Sequence, residues 1–117
     1  MSNESQIIDK AFDLFESEQY EKAIDLIRPF AERRNAKALG MLGSAYHIGL
    51  GVELDGPLAV EYLQQAAELG DGASAHNLGT IYVTGLPGVK SDAQKAKHFY
   101  NLAKDLGAKF ADADWYV

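Results

Sequence analysis

The chain repeats itself, and this constrains its fold more than any other feature. Ala36-Lys-Ala-Leu-Gly-Met-Leu-Gly-Ser-Ala-Tyr-His-Ile-Gly49 returns as Ala73-Ser-Ala-His-Asn-Leu-Gly-Thr-Ile-Tyr-Val-Thr-Gly85. Leu42/Leu78, Gly43/Gly79, Tyr46/Tyr82 and Gly49/Gly85 are each separated by 36 residues. Further on, Gly51/Gly88, Val52/Val89, Asp55/Asp92, Ala59/Ala96, Tyr62/Phe99, Ala66/Ala103 and Gly70/Gly107 are separated by 37. One extra residue in Gly85-Leu-Pro-Gly88, relative to Gly49-Leu-Gly51, accounts for the slip. Insertions collect in loops, so the slip marks the connection between two helices. A period of this length is the signature of stacked supersecondary units, each burying its apolar face against the next.

Each unit reads as two antiparallel helices. In the first, Ala38, Leu42 and Tyr46 recur at spacing four, with Gly43 where a neighbouring backbone comes close. Gly49 ends that helix, as glycine does when the chain turns left-handed. The second helix begins at Asp55 or Asp92, and Ser91-Asp-Ala-Gln94 has the form of a capping box. Pro57 suits a first helical turn, whose amides have no intrahelical partner. Ala59, Tyr62, Leu63, Ala66 and Ala67 form the buried stripe, and Gly70 closes the helix.

Residues 5–35 hold a diverged unit. Ile7, Ile8, Ala11, Leu14 and Phe15 give one side of an amphipathic helix. Ala23, Leu26, Ile27 and Ala31 lie 36 residues before Ala59, Tyr62, Leu63 and Ala67. Pro29 falls inside this second helix and predicts a kink near Arg28. At the other end, residues 108–117 read as the start of a further first helix. Phe110, Trp115 and Tyr116 are the candidates to cap the open end of the stack, or to serve as an interface.

The pattern Ala-x-Ala, Leu-Gly-x-x-Tyr-x-x-Gly-x-Gly-Val, Asp, Lys/Leu-Ala, Tyr/Phe, Ala-Ala-x-x-Gly resembles the Sel-one-like repeat family, a relative of the tetratricopeptide repeats. The resemblance covers residues 36–71 and 72–107 as two full repeats, and residues 5–35 more distantly as a tetratricopeptide-like hairpin. Two departures stand out: the second repeat reads as one residue shorter before Leu78, and Lys104 replaces the second alanine of the Ala-Ala pair. The lysine must snorkel or face solvent. The resemblance implies an all-α, right-handed αα-solenoid of about three helix pairs plus a C-terminal helix, in one domain. It also implies a concave groove used to bind proteins or peptides. Bacterial relatives include secretion-associated and host-interacting proteins, and short ones can be immunity proteins that block a toxic effector.

Composition narrows the function classes. The net charge of −6 argues against nucleic acid, which requires a basic footprint. Residues 1–35 carry 5 basic and 8 acidic side chains and residues 36–70 carry 1 and 4, so both segments stand at −3; residues 71–117 carry 5 of each. An acidic field over the first two thirds solubilises the chain and would attract a basic partner. No apolar run is long enough to span a membrane, and Met1-Ser-Asn-Glu-Ser-Gln6 lacks the pattern of a signal peptide, so a cytoplasmic protein is the expectation; a monomer is favoured, with oligomerisation through the open C-terminal face as the alternative. With no cysteine, disulfides, thiol nucleophiles and thiolate zinc sites are out.

No catalytic constellation emerges. His47, His76 and His98 lack the spacing that sets two imidazoles on one helical face as metal ligands, although His47 and His76 sit on neighbouring first helices. Gly49-Leu-Gly51 precedes a helix but lacks the lysine and hydroxyl ending of a phosphate loop, and the repeat explains its glycines. Some relatives are linked to β-lactam binding; this chain has no Ser-x-x-Lys. Asp112 and Asp114 lack the glycine and glutamate that complete a calcium loop. No catalytic, cofactor or metal site is therefore expected, and the rival class is a small hydrolase or ligand-binding enzyme. Rotating away from Leu42 and Tyr46 puts Gly40, Ser44 and His47 on one stripe, with His76, Thr80 and Val83 as their equivalents. Small and polar groups suit a groove floor, so these six are the candidate contacts for a partner protein. That partner would be a toxic effector to be neutralised, a basic protein, or the peptides of a general adaptor.

Overall fold

The computed structural model describes residues 4–108. Six α-helices of 13 residues follow one another: α1 (Glu4–Glu16), α2 (Tyr20–Glu32), α3 (Ala36–Ile48), α4 (Gly56–Glu68), α5 (Gly72–Thr84) and α6 (Ala93–Asp105). The closest packing is within the pairs α1–α2, α3–α4 and α5–α6, and the pairs stack through α2–α3 and α4–α5. Stacking along one direction gives an elongated body of 42 × 28 × 24 Å. The architecture is the expected αα-solenoid of three helix pairs. The expected capping segment, with Phe110, Trp115 and Tyr116, lies outside the described residues.

At the start of their second helices the two repeats match bond for bond. Asp55 and Asp92 cap α4 and α6, each accepting through Oδ1 from the amide three residues on, of Leu58 and Lys95, at 3.0 Å. The Asp55 and Asp92 amides in turn donate to the carbonyls of Tyr46 and Tyr82. Asp92 occupies the N-cap position, so the capping box expected from Ser91 is corrected: the loop delivers the aspartate, not the serine, to that turn. The shorter second repeat is corrected as well. Helices α3 and α5 are the same length, 36 residues apart, and Gly72 takes the place of Ala36.

Packing explains the small residues. A side chain at Gly43 would meet Leu63 at 2.7 Å, and one at Gly79 would meet the Tyr100 ring at 2.7 Å. Glycine there lets the two helices of a pair close up until Leu63 and Tyr100 are fully buried. At the loop end of each pair two rings stack, Tyr46 on Tyr62 and Tyr82 on Phe99, both with centroids 5.8 Å apart. One cluster of buried side chains, including Ile8, Ile24, Ile27, Leu39 and Leu42, joins the first pair to the second. Another, including Leu63, Leu78, Ile81 and Tyr100, joins the second to the third. Helix α2 runs through Pro29 to Glu32 as one element, and the Lys104 side chain is exposed, as its position requires.

Candidate partner-binding groove

The first helices of the three units, α1, α3 and α5, share a face that carries a groove of about 400 Å³. Ile8, Asp9, Phe12 and Phe15 of α1 form one wall. Lys37, Gly40, Met41, Ser44 and Ala45 of α3 form the floor, with Leu50 from the following loop, and Asp71, Ala73, Ser74 and Asn77 form the far wall. The groove exists because the three helices are unequally spaced. Helix α3 packs on α5, whereas α1 stands further from α3.

Residue identities explain that spacing. A side chain at Gly40 would meet Ser74 Oγ at 2.6 Å and Asp71 Oδ2 at 2.7 Å. Bare backbone is therefore what admits α5 to α3, and the Asn77 amide completes the seam by donating to Ser44 Oγ at 3.1 Å. One unit earlier, Ile8 is the fifth residue of α1 as Gly40 is of α3, while Glu4 at the head of α1 accepts from Asn35 Nδ2 at 2.7 Å. A branched side chain thus stands in α1 where α3 has bare backbone, and the gap between α1 and α3 is lined with apolar side chains. Phe12 remains 54% exposed there, a large apolar surface left to solvent.

Asp71 departs from its equivalent. Asn35 caps α3 by accepting from the Ala38 amide at 2.9 Å. Asp71 makes no such bond to α5; its carboxylate instead accepts from the Ser74 hydroxyl, where the earlier repeat has Ala38. Ser74, 1% exposed, thereby holds the carboxylate at the edge of the groove.

The structure divides the six residues proposed from the sequence. Gly40 and Ser44 line the groove; His47, His76, Thr80 and Val83 do not. Gly40 is buried and Ser44 is engaged by Asn77, so both build the groove rather than project into it. His76 packs on the Tyr100 ring with centroids 5.1 Å apart, and Thr80 Oγ1 lies 3.0 Å from the Tyr100 hydroxyl. Val83 is 44% exposed, clear of the groove. Burial pushes His47 and His76 below the ordinary histidine range; for His76 a hydrogen bond with Asn77 pulls the other way. His98 lies edge-on to Phe99, and the described residues contain no group of three or more His, Asp or Glu placed to hold a metal. Also among the described residues, no helix is long and apolar enough to cross a membrane.

The sequence reading missed the α1 wall. Phe12, four residues after the buried Ile8 and three before Phe15, widens the apolar stripe toward the groove. Phe12 was the available signal: it is a phenylalanine outside the stripe that Ile7, Ile8, Ala11, Leu14 and Phe15 define.

Fold and groove together define a helix-pair solenoid with a groove on the face of its first helices. The Sel1 repeat family model matches residues 36–71 and 72–107, and the chain belongs to that family. Such repeats mediate protein–protein interaction. The chain is similar to a Sel1 repeat protein from Oxalobacter formigenes, with a TM-score of 0.79 and 27% identity, covering 90% of this chain and 41% of that one. A protective antigen of uropathogenic Escherichia coli with an SLR fold aligns at a TM-score of 0.71 and 29% identity, over 79% of this chain and 20% of the antigen. Among curated proteins, a chitin synthase regulator of Malassezia restricta is 36% identical over 67 residues, 55% of this chain but 5% of the regulator. The chain thus spans less than half the length of each of these relatives.

Proposed function

We propose that this chain is a non-catalytic binding protein that holds a segment of a partner protein in the groove between α1, α3 and α5. The observation that carries the reading is the exposed Phe12, set in an apolar wall with Ile8 and Phe15 and facing a floor that contains Met41 and Leu50. Exposed apolar surface of this kind costs solubility and is retained where a partner covers it. A volume of about 400 Å³ takes a few anchoring side chains of a partner segment. Family membership supports the same reading.

Neutralisation of a toxic effector is the narrower form of this activity, and service as a general peptide adaptor the broader. Affinity capture with the wild-type chain, Phe12→Asp and Ile48→Asp separates groove binding from adventitious hydrophobic capture. Ile48 is the control because it is 59% exposed and lies outside the groove. A partner that survives Ile48→Asp, is lost on Phe12→Asp and rebinds from purified components supports the reading. Loss on both variants, or on neither, contradicts it. A tight one-to-one complex with a toxic protein would mark the immunity role, and weaker binding of short segments the adaptor role.

A further inference from the structure

We infer that the groove's occupant is an amphipathic helix with Lys or Arg along one flank of its apolar stripe; this rests on the groove reading above and adds the partner's chemistry.

The groove has two unlike walls. Ile8, Phe12 and Phe15 on α1, with Leu50, are apolar, while the α5 side presents Asp71, Ser74 and Asn77. An occupant that satisfies both walls needs an apolar stripe beside a polar one. Two carboxylates, Asp9 on α1 and Asp71 ahead of α5, line the groove against one amine, Lys37. Beyond the lining, α1 adds Glu4, Asp13 and Glu16 against Lys10, and residues 1–70 together hold the chain's whole excess of negative charge. Asp71 is also preorganised, because the Ser74 hydroxyl fixes it. A cation placed beside it meets a carboxylate that loses little freedom on pairing.

The backbone of the occupant follows from what the groove withholds. An extended segment would need donors and acceptors for its own amides and carbonyls. The groove's polar side chains already serve each other, Asn77 with Ser44 and Ser74 with Asp71. Its walls are helices, whose backbone groups are spent internally away from their ends. A helix brings its hydrogen bonds with it and offers side chains at i, i+3, i+4 and i+7 as anchors.

Three labelled peptides of about 18 residues, long enough for five helical turns, test the inference by fluorescence anisotropy with the full chain. One carries a Leu stripe flanked by Lys; in the second every flanking Lys becomes Glu; in the third two Pro interrupt the first. The Lys peptide should bind about tenfold or more tighter than the Glu peptide, weaken with added salt, and lose affinity when Pro breaks its helix. Asp9→Lys, at an exposed position, should narrow the gap between the Lys and Glu peptides. Asp71→Asn, which keeps the shape of the side chain, should weaken the Lys peptide alone. Phe12→Asp should weaken every peptide. Equal affinity for the Lys and Glu peptides, with dependence on Phe12 intact, overturns the charge assignment and leaves the groove standing. Equal or tighter binding of the Pro peptide overturns the helix. Binding indifferent to Phe12→Asp, or no binding of any peptide, overturns the inference, and indifference to Phe12 also counts against the groove.

Discussion

The two Sel1 repeats share their signature glycines, the tyrosine of the first helix and the aspartate cap of the second, yet only the first has a described neighbour on both sides. Where the helices of a pair face each other, the repeats agree: Gly43 and Gly79 admit Leu63 and Tyr100, and Tyr46 and Tyr82 stack on Tyr62 and Phe99. Where the first repeat faces the second, they diverge. Gly40, Val60 and Ala67 of the first become His76, Lys97 and Lys104 of the second. Val60 packs against the cluster shared with the second repeat and Ala67 is buried in it, whereas Lys97 and Lys104 are exposed. The pair is thus a common module, and the face between pairs is what a repeat adapts to its place in the stack. The same rule bears on the groove: α1 carries Ile8 at the position of Gly40, so the bare backbone that admits α5 to α3 has no counterpart between α1 and α3.

This contrast can be broken by substitution. Leu63→Ala, at the junction of both repeats and fully buried, should cost about 2–5 kcal/mol in urea unfolding. A loss below about 1 kcal/mol would mean that the junction contributes little to the stack. Next come the exchanges between repeats. Val60→Lys should cost roughly 1–3 kcal/mol, while Lys97→Val should change stability by less than about 0.5 kcal/mol. Equal effects would erase the distinction between the two faces. Asp55→Ala and Asp92→Ala, which remove equivalent caps, should each cost about 1 kcal/mol and agree closely. Unequal losses would show that the repeats are less alike than their hydrogen bonds.

A fourth outcome concerns pH. Burial lowers the pKa of His47 and His76 in the fold, so the unfolded chain takes up those protons first. Their contribution is complete above the ordinary value of 6.5 and declines as pH falls through it toward the lowered values. His47→Gln with His76→Gln should therefore flatten the melting temperature between about pH 7 and 5. An unchanged slope would remove these two histidines as the cause.

Much of this was legible in the sequence because each local signal repeats. Gly49 takes φ +86° at the end of α3, Asp55 and Asp92 cap the helices predicted to follow them, and the one-residue slip falls in the α5–α6 loop. The groove was less legible, since it depends on distances between helices that are far apart in sequence. Turning 3.6 residues from Leu42 and Tyr46 locates a stripe but not the helix that covers it. That helix is α5, whose Ser74 and Asn77 occupy the stripe at Gly40 and Ser44. Asp71 was hidden for a related reason: its role turns on a serine replacing Ala38, a change that looks minor until the hydroxyl takes the carboxylate away from the cap.

The central claim is that a partner segment sits against Phe12. A photo-crosslinking residue placed at position 12, and in a second sample at position 48, tests it directly in cells that make the protein. Both positions are exposed, and only the first lines the groove. The account predicts a discrete crosslinked partner from position 12 that position 48 does not yield, competed away by the unlabelled wild-type chain. The same adduct from both positions, or one from position 48 alone, would contradict it.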